Sequence, residues 1–307
     1  MGDKRFDLIV VGEINPDLIL SGDVDPVFGQ VEKLVDQATL SIGSSSAIFA
    51  CGAARLGLKV GFIGKIGQDE FGRFMKESME KRGVDTSGIL INPDIPTGLS
   101  VILTKGNDRA ILTYPGTIPC LRYTDIDLGL IAQARHLHVA SYFIQEALRP
   151  DIPKLFDLAH QHGLTVSLDT NYDPAEAWDG GLKEALRRID VFFPNEVECC
   201  AIARKPNLFQ ALDFLAQEIG VVVVKRGEQG AALKSAGRFF EAKAIPVQVV
   251  DTVGAGDSFD AGFLYGYLSG WDLERALRLG VICGGLSTRK TGGTTAQATL
   301  EEVLVYL

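Results

Sequence analysis

Residues 250–259 read Val250-Asp251-Thr252-Val253-Gly254-Ala255-Gly256-Asp257-Ser258-Phe259. The apolar run Ile245 to Val250 predicts a strand before the glycines, and Ser258 to Leu268 predicts a helix after them. A glycine-rich turn from strand into helix is an anion site, because free backbone N–H groups and the positive end of the helix dipole point at the same place. Such a site holds a phosphoryl group while charge develops on it. Gly254, Ala255 and Gly256 are small enough to let the backbone approach. Asp257 then sets a carboxylate beside the phosphate, free to take a hydroxyl proton. For Asp257 taken alone, a plain helix N-cap is the simpler reading.

Outward from this stretch, strands and helices alternate. Phe6 to Gly12 reads as a buried strand, interrupted by Glu13-Ile14-Asn15-Pro16-Asp17, which puts polar groups at its carboxyl end. An Ala-rich helix (Gly43 to Leu56), a strand (Val60 to Ile66) and a helix (Glu70 to Arg82) follow. The rhythm returns with strands at His136 to Ala140, Thr165 to Asp169 and Val191 to Phe193, and with helices at Pro150 to His162 and Leu182 to Ile189. These units predict an α/β fold with a doubly wound, mostly parallel sheet. Two stretches break the rhythm: Leu18 to Leu40, and Gly98 to Thr104 with Ala110 to Tyr114 around Lys105-Gly106-Asn107-Asp108. Both are expected to be antiparallel strands, joined as a small β lid over the strand ends. One domain is expected over residues 1–307, with lid insertions at about 18–40 and 98–115.

Composition narrows the function. Thirty Lys and Arg against thirty-nine Asp and Glu give a net charge of −9, which argues against nucleic acid as a partner. No run approaches the ~18 apolar residues of a membrane span. Neither a secretory core nor, after Met1-Gly2, a myristoylation motif is legible, so a cytoplasmic protein is expected. The five cysteines, Cys51, Cys120, Cys199, Cys200 and Cys283, lack C-x-x-C spacing and are read as reduced thiols. Gly12 is followed by Glu13-Ile14-Asn15-Pro16 rather than a dinucleotide fingerprint, and no P-loop or protein-kinase motif occurs.

The stretch at 251–259 resembles the second motif of the PfkB carbohydrate kinases, D-T-x-G-A-G-D-x-F. Asp251, Thr252, Gly254, Ala255, Gly256, Asp257 and Phe259 all match it. The resemblance covers nearly the whole chain and implies a ribokinase-like fold. It also implies ATP-dependent phosphorylation of a sugar-like hydroxyl, with Asp257 as base and Gly254, Ala255 and Gly256 as the anion hole. Asn195 and Glu198 match the family's N-x-x-E motif, which implies a role with Mg2+ through water beside the nucleotide. A capping box explains the same spacing. Lys225 and Gly227 resemble the family's nucleotide-lining segment, and Lys225 reads equally as a strand-end charge. The loop around Ser287 to Gly293, with Asp251 and Val253, resembles a monovalent cation site, implying stimulation by K+ and a part for Ser287 and Gly292. A helix C-terminal turn is the plain alternative.

On the acceptor side, Asn15 and Asp17 match the pair the family sets against sugar hydroxyls. Gly43 and the Ala53-Ala54-Arg55-Leu56-Gly57 end of the first motif are present. Ser44, however, stands where a second glycine is usual, and Ile48 replaces the usual asparagine. Ser44, Ser45 and Ser46 read as acceptor contacts or as a helix N-cap cluster. Ser141 falls near a substrate-facing position, Arg109 is the one lid cation near the acceptor, and His136 and His138 are read as structural. From Ile48 we expect free ribose to serve less well than a deoxy-sugar, a sugar acid or a nucleoside-like compound. A nucleoside kinase of the same fold and a non-catalytic sugar sensor are the alternatives, and a homodimer through the lid is expected by the resemblance.

Overall fold

The computed structural model describes residues 4–106 and 108–307; Met1, Gly2 and Asn107 of the expected hairpin turn lie outside the described residues. The chain opens on β1 (Phe6–Val11), buried except at Asp7, and passes into β2 (Pro16–Ser21) and β3 (Gln37–Ile42). Ser44 then caps α1 (Ser45–Arg55), its Oγ accepting the Ala47 amide at 3.1 Å. Next come β4 (Val60–Gly67), α2 (Glu70–Glu80) and β5 (Val84–Asn92), and then β6 (Leu99–Lys105) and β7 (Asp108–Tyr114). A short α3 (Leu128–Ile131) leads into β8 (Ala134–Val139), α4 (Ile152–Gln161), β9 (Thr165–Leu168), α5 (Leu182–Leu186) and β10 (Val191–Phe192). After α6 (Glu196–Ala203), α7 (Leu208–Leu215) and β11 (Val221–Lys225), the sheet is completed by β12 (Ala231–Ser235) and β13 (Arg238–Ala242). Helices α8 (Ala255–Leu268), α9 (Leu273–Ser287) and α10 (Leu300–Leu304) end the chain.

The main sheet runs β13-β12-β11-β10-β9-β8-β1-β4-β5. It is parallel from β5 to β11 and antiparallel at β11-β12-β13. From β1 the chain winds first to β4 and later to β8 on the other side, so Val10 pairs with both Phe62 and His138. The carboxyl ends of β1 and β8 therefore form the crevice where an open α/β sheet holds its ligand. Helices α4 to α7 cover one face; α1, α2, α8 and α9 cover the other. Phe49, Phe62, Phe193 and Phe263 are fully buried on that second face, each contributing about 1.5–3 kcal/mol. They anchor α1 and α8, whose N-termini both face the crevice.

The lid is the second sheet, β3-β2-β6-β7: β2-β3 and β6-β7 are the expected antiparallel hairpins, and β2 and β6 join them in parallel, from Asp17 opposite Ser100 to Ser21 opposite Thr104. Each hairpin's first strand follows the carboxyl end of a parallel strand, β2 after β1 and β6 after β5, so the two first strands run the same way. The strand expected at Ile245 to Val250 is absent: the sheet ends at β13. Ile245 packs instead on Leu279, Ile282 and Leu286 of α9, while Pro246, without an N–H, has no donor for a strand ladder. Helix α8 also starts three residues before the expected Ser258, at Ala255.

Candidate active site

Gly254 caps α8 at φ 72°, ψ 7°, a left-handed conformation that glycine adopts without penalty. A β-carbon there would lie 2.8 Å from both the Gly293 Cα and the Ile48 Cγ2. Ile48 thus packs against the phosphate-binding turn and against Gly293, where a β-carbon would meet its Cδ1 at 2.4 Å. The Ala255 amide is turned to the Thr252 carbonyl at 3.3 Å. Gly256 and Asp257 follow it in the first turn, where amides lack intrahelical acceptors.

Asp257 is the third residue of α8, not its N-cap, and is 8 % exposed. Burial pushes its carboxyl up to about 8; the negative charges of Asp169 and Glu13 add to the effect, while Lys225 and the Ser45 side chain oppose it.

Opposite this turn stands a carboxylate that the motifs do not reveal. Glu13, 3 % exposed, stands just past Gly12 at the end of β1. Its Oε1 accepts the Ser46 amide at 3.2 Å and the Ser141 hydroxyl at 2.9 Å, and its Oε2 accepts the Ser46 hydroxyl at 2.5 Å. Ser44 Oγ lies 2.6 Å from the Glu13 carbonyl oxygen. The Asn171 side-chain amide in turn donates to Ser141 Oγ at 3.0 Å. Ser141 and Asn171 both hold left-handed backbones, at φ 54° and 53°, and Ser44 stands at φ 64°. Ser44 thus keeps the conformation suited to a glycine while adding a hydroxyl that ties α1 to β1. Strained non-glycine residues of this kind cluster at functional sites.

Asn15 donates to Ser100 Oγ at 3.2 Å, joining β1 to the lid. Asp17 occupies the space beside Gly43, where a β-carbon would fall 2.2 Å from its Oδ1. Burial pushes the Asp17 carboxyl up to about 7, with Arg109 opposing and Asp251 adding. From β7, Arg109 Nη1 reaches to 3.4 Å from Thr252 Oγ1 and 4.0 Å from Asp251 Oδ1, so the lid touches the 250–259 stretch.

On the nucleotide side, Asn195 and Glu198 form a reciprocal capping box at 2.9 Å each way. Burial pushes the Glu198 carboxyl up to about 7, with Asp169 adding and Lys225 opposing. Lys225 is turned inward, its side chain 14 % exposed: its Nζ donates to Asp169 Oδ2 at 2.7 Å and Asp260 Oδ2 at 3.2 Å. That ammonium lies under the α8 terminus, 3.5 Å from the point a Gly256 β-carbon would occupy. Gly227, at φ 54°, opens the turn after β11.

Asp251 Oδ1 accepts the Val253 amide at 2.9 Å and Oδ2 the Gly292 amide at 2.8 Å, which brings both loops of the expected cation site together. The Ser287 hydroxyl is instead turned back to the Gly284 carbonyl within α9. His136 and His138 both meet Ser167 Oγ at 2.7 Å. His138, pushed down to about 3 by burial, stacks on Phe49 as a neutral structural ring.

Among the described residues, no cluster of three or more His, Cys, Asp or Glu is placed to hold a metal, and no helix is long and apolar enough to cross a membrane.

Comparison with known proteins gives this geometry its setting. The chain is 34% identical over 248 residues to an uncharacterized sugar kinase of Archaeoglobus fulgidus, covering 78% of this chain and 96% of that one. It is 31% identical over 324 residues to a 5-dehydro-2-deoxygluconokinase of Listeria monocytogenes, covering 98% and 95%. An E. coli protein described as a ribokinase II, solved with ATP and magnesium, superposes with a TM-score of 0.87 at 25% identity over 98% of both chains. The family model for pfkB carbohydrate kinases matches residues 5–300. With the anion turn, the buried Asp257 and the polar crevice in the order that family requires, the chain belongs to the pfkB family of carbohydrate kinases.

Proposed function

We propose that the protein transfers the γ-phosphoryl group of ATP to a hydroxyl of a sugar or sugar-like alcohol, with Asp257 as the general base. The observation that carries this reading is the buried Asp257 carboxylate in the first turn of α8, beside the Gly254-Ala255-Gly256 turn and within the field of Glu13 across the crevice. A base there takes the acceptor's proton as its oxygen attacks, while the α8 amides stabilise the transferring phosphoryl group. Asn15, Asp17, Gly43, Ser44, Ser45 and Ser141 line the acceptor side; Asn195, Glu198, Lys225 and Gly227 frame the nucleotide side. The test is ADP release with ATP over a panel of pentoses, hexoses, cyclitols, sugar acids, nucleosides and phosphosugars. Saturating ATP with no acceptor-dependent ADP would overturn the reading. The relatives' name, 5-dehydro-2-deoxygluconokinase, denotes a kinase of a sugar acid, which puts that class in the panel.

Magnesium, when bound, supplies neutralisation of the phosphate charge. An ion that keeps most of its waters fits a site with the single buried carboxylate Glu198 beside Asn195 rather than a cage of ligands. Activity is expected to vanish in excess EDTA and return with Mg2+. The Asp251, Val253 and Gly292 assembly supports a monovalent cation site, so rates should rise severalfold in K+ over a large organic cation at equal ionic strength. Ser287 would contribute there through its backbone alone.

The free cysteines support a reducing, cytoplasmic setting. A homodimer through the lid is supported by the edge strand β7, where Ile111, Leu112 and Tyr114 are more than half exposed. Sedimentation at micromolar concentration should show twice the chain mass, and Leu112→Lys should return it to the monomer.

A further inference from the structure

We propose that Asn171 is a positioning residue for the transfer: its side-chain amide holds the acceptor side of the crevice in register with α8, the helix that carries Asp257. The inference rests on the kinase reading above. An unbroken chain of hydrogen bonds runs from α8 to α1. It begins at Asp260, one turn along α8 from Asp257 and on the same face. Asp260 Oδ2 and Asp169 Oδ2 share the Lys225 ammonium, at 3.2 and 2.7 Å. Asp169 Oδ1 accepts the Asn171 backbone amide at 3.0 Å, and the Asn171 side chain donates to Ser141 Oγ, also at 3.0 Å. Ser141 Oγ donates onward to Glu13 Oε1 at 2.9 Å, which also accepts the Ser46 amide in the first turn of α1 at 3.2 Å. The chain passes the carboxyl ends of β11, β9, β8 and β1. Asn171 joins its two halves, by main chain to the half under α8 and by side chain to the acceptor half.

The direction of the Asn171–Ser141 bond is fixed by its neighbours. Glu13 Oε1, a carboxylate oxygen, only accepts, so Ser141 gives its single proton there. A donor must then meet Ser141 Oγ from the other side, and the Asn171 amide is that donor. The loop that follows does not depend on this bond. Asp173, 5 % exposed, accepts the amides of Ala175 and Trp178 at 3.0 and 2.7 Å, and the Trp178 ring lies edge-on to Phe143 with centroids 5.8 Å apart. Tyr142 Oη donates to the Gly180 carbonyl at 3.0 Å. Residues 171–181 therefore stay docked on the segment after β8 without the Asn171 side chain. What that side chain fixes is the Ser141 hydroxyl. Both residues hold left-handed backbones, which persist outside glycine only where the surroundings over-determine them. Displacing an acceptor by about 1 Å from its base can cost about 100-fold in rate. Lys225, on the nucleotide side of the link, keeps its own bonds when the link is cut.

The experiment measures kcat and both KM values, with ATP and the best acceptor of the panel above, for wild type, Asn171→Gly and Asn171→Asp. Glycine adopts the left-handed backbone freely and keeps the amide to Asp169, so only the side chain is lost. Aspartate keeps the outline of asparagine, but its carboxylate cannot donate to Ser141. Each variant should lose about 100-fold in kcat, with the KM for ATP within about twofold of wild type and the melting temperature lower by only a few degrees. A lower melting temperature with kcat unchanged is the signature of a structural residue and overturns the proposal. So does an Asn171→Asp protein with wild-type kcat, because the donated bond is then dispensable. Should one variant fail to fold, the other decides, since each removes the same donor. A wild type that releases no ADP with any acceptor overturns the kinase reading and this role with it. A wild type that turns over beside variants of equal kcat overturns this role alone.

Discussion

Asp257→Asn should lower kcat by about 10²- to 10⁴-fold, the range expected when a general base is removed, while raising the melting temperature. Both effects have one origin. The carboxyl titrates at about 8 in the folded chain against 3.8 when free, chiefly because burial disfavours its charge. Between those values the folded state holds a proton that the unfolded state has lost, so stability falls as pH rises through that window. The penalty is complete above it. Asparagine never ionises, so the variant should be more stable than wild type at neutral and alkaline pH, with the difference shrinking toward pH 4. Wild-type kcat/KM should rise tenfold per pH unit up to about pH 8 and then level, because the base must be ionised to accept a proton. A calorimetric pH series and a pH–rate profile check the two halves separately. ATP affinity, measured by calorimetric titration, should change less than threefold. Near-normal turnover of a folded variant would remove Asp257 from the reaction.

How much of this was legible follows from what sequence encodes locally. Strands buried on both faces read as continuous apolar runs, so Val221 to Val224 and Phe6 to Val11 were visible without the structure. The same rule misassigned Ile245 to Val250, since an apolar run reports burial, and packing on α9 buries Ile245 as well as a sheet would. Strand pairing in the lid was not legible, because nothing in the period of β2 and β6 states their relative direction. The Gly254 to Asp257 chemistry was readable because four neighbours in the chain carry it together. Glu13 and Asn171 were not, being single polar residues at strand ends that only the topology brings to Ser141. Glu13 lies 128 positions from that serine. Ile48 shows the intermediate case: its position in the first motif was legible, but its contact with Gly254 and Gly293 was not. Lys225 was legible as a strand-end charge at the site, while its two carboxylate partners, 56 and 35 positions away, were not.

Those partners carry the second large effect. Burial alone would push Asp169 up, but Lys225 and hydrogen bonds from Asp260, Lys225 and the Asn171 amide hold it below the usual carboxylate range. Asp260 goes the other way: burial raises it well above that range despite Lys225, with Asp169 and Asp257 adding. One ammonium thus stands between two carboxyl groups, Asp169 held toward its charged form and Asp260 pushed away from it, which is how three polar groups persist beneath α8. Lys225→Met breaks the balance, leaving Asp169, with its side chain 2 % exposed, as an uncompensated buried charge. The expected cost is about 3–5 kcal/mol, read as a lower urea midpoint with unchanged slope. Adding Asp169→Asn to Lys225→Met should recover more than half of that loss, because the stranded charge is removed with its partner. Strictly additive losses would show that the ammonium and the carboxylate do not stabilise one another. Lys225 also opposes the rise of the Asp257 carboxyl, so in any Lys225→Met protein that folds, the ascending limb of kcat/KM should move to still higher pH. A limb that stays in place would mean that Lys225 supports the helix without acting on the base above it.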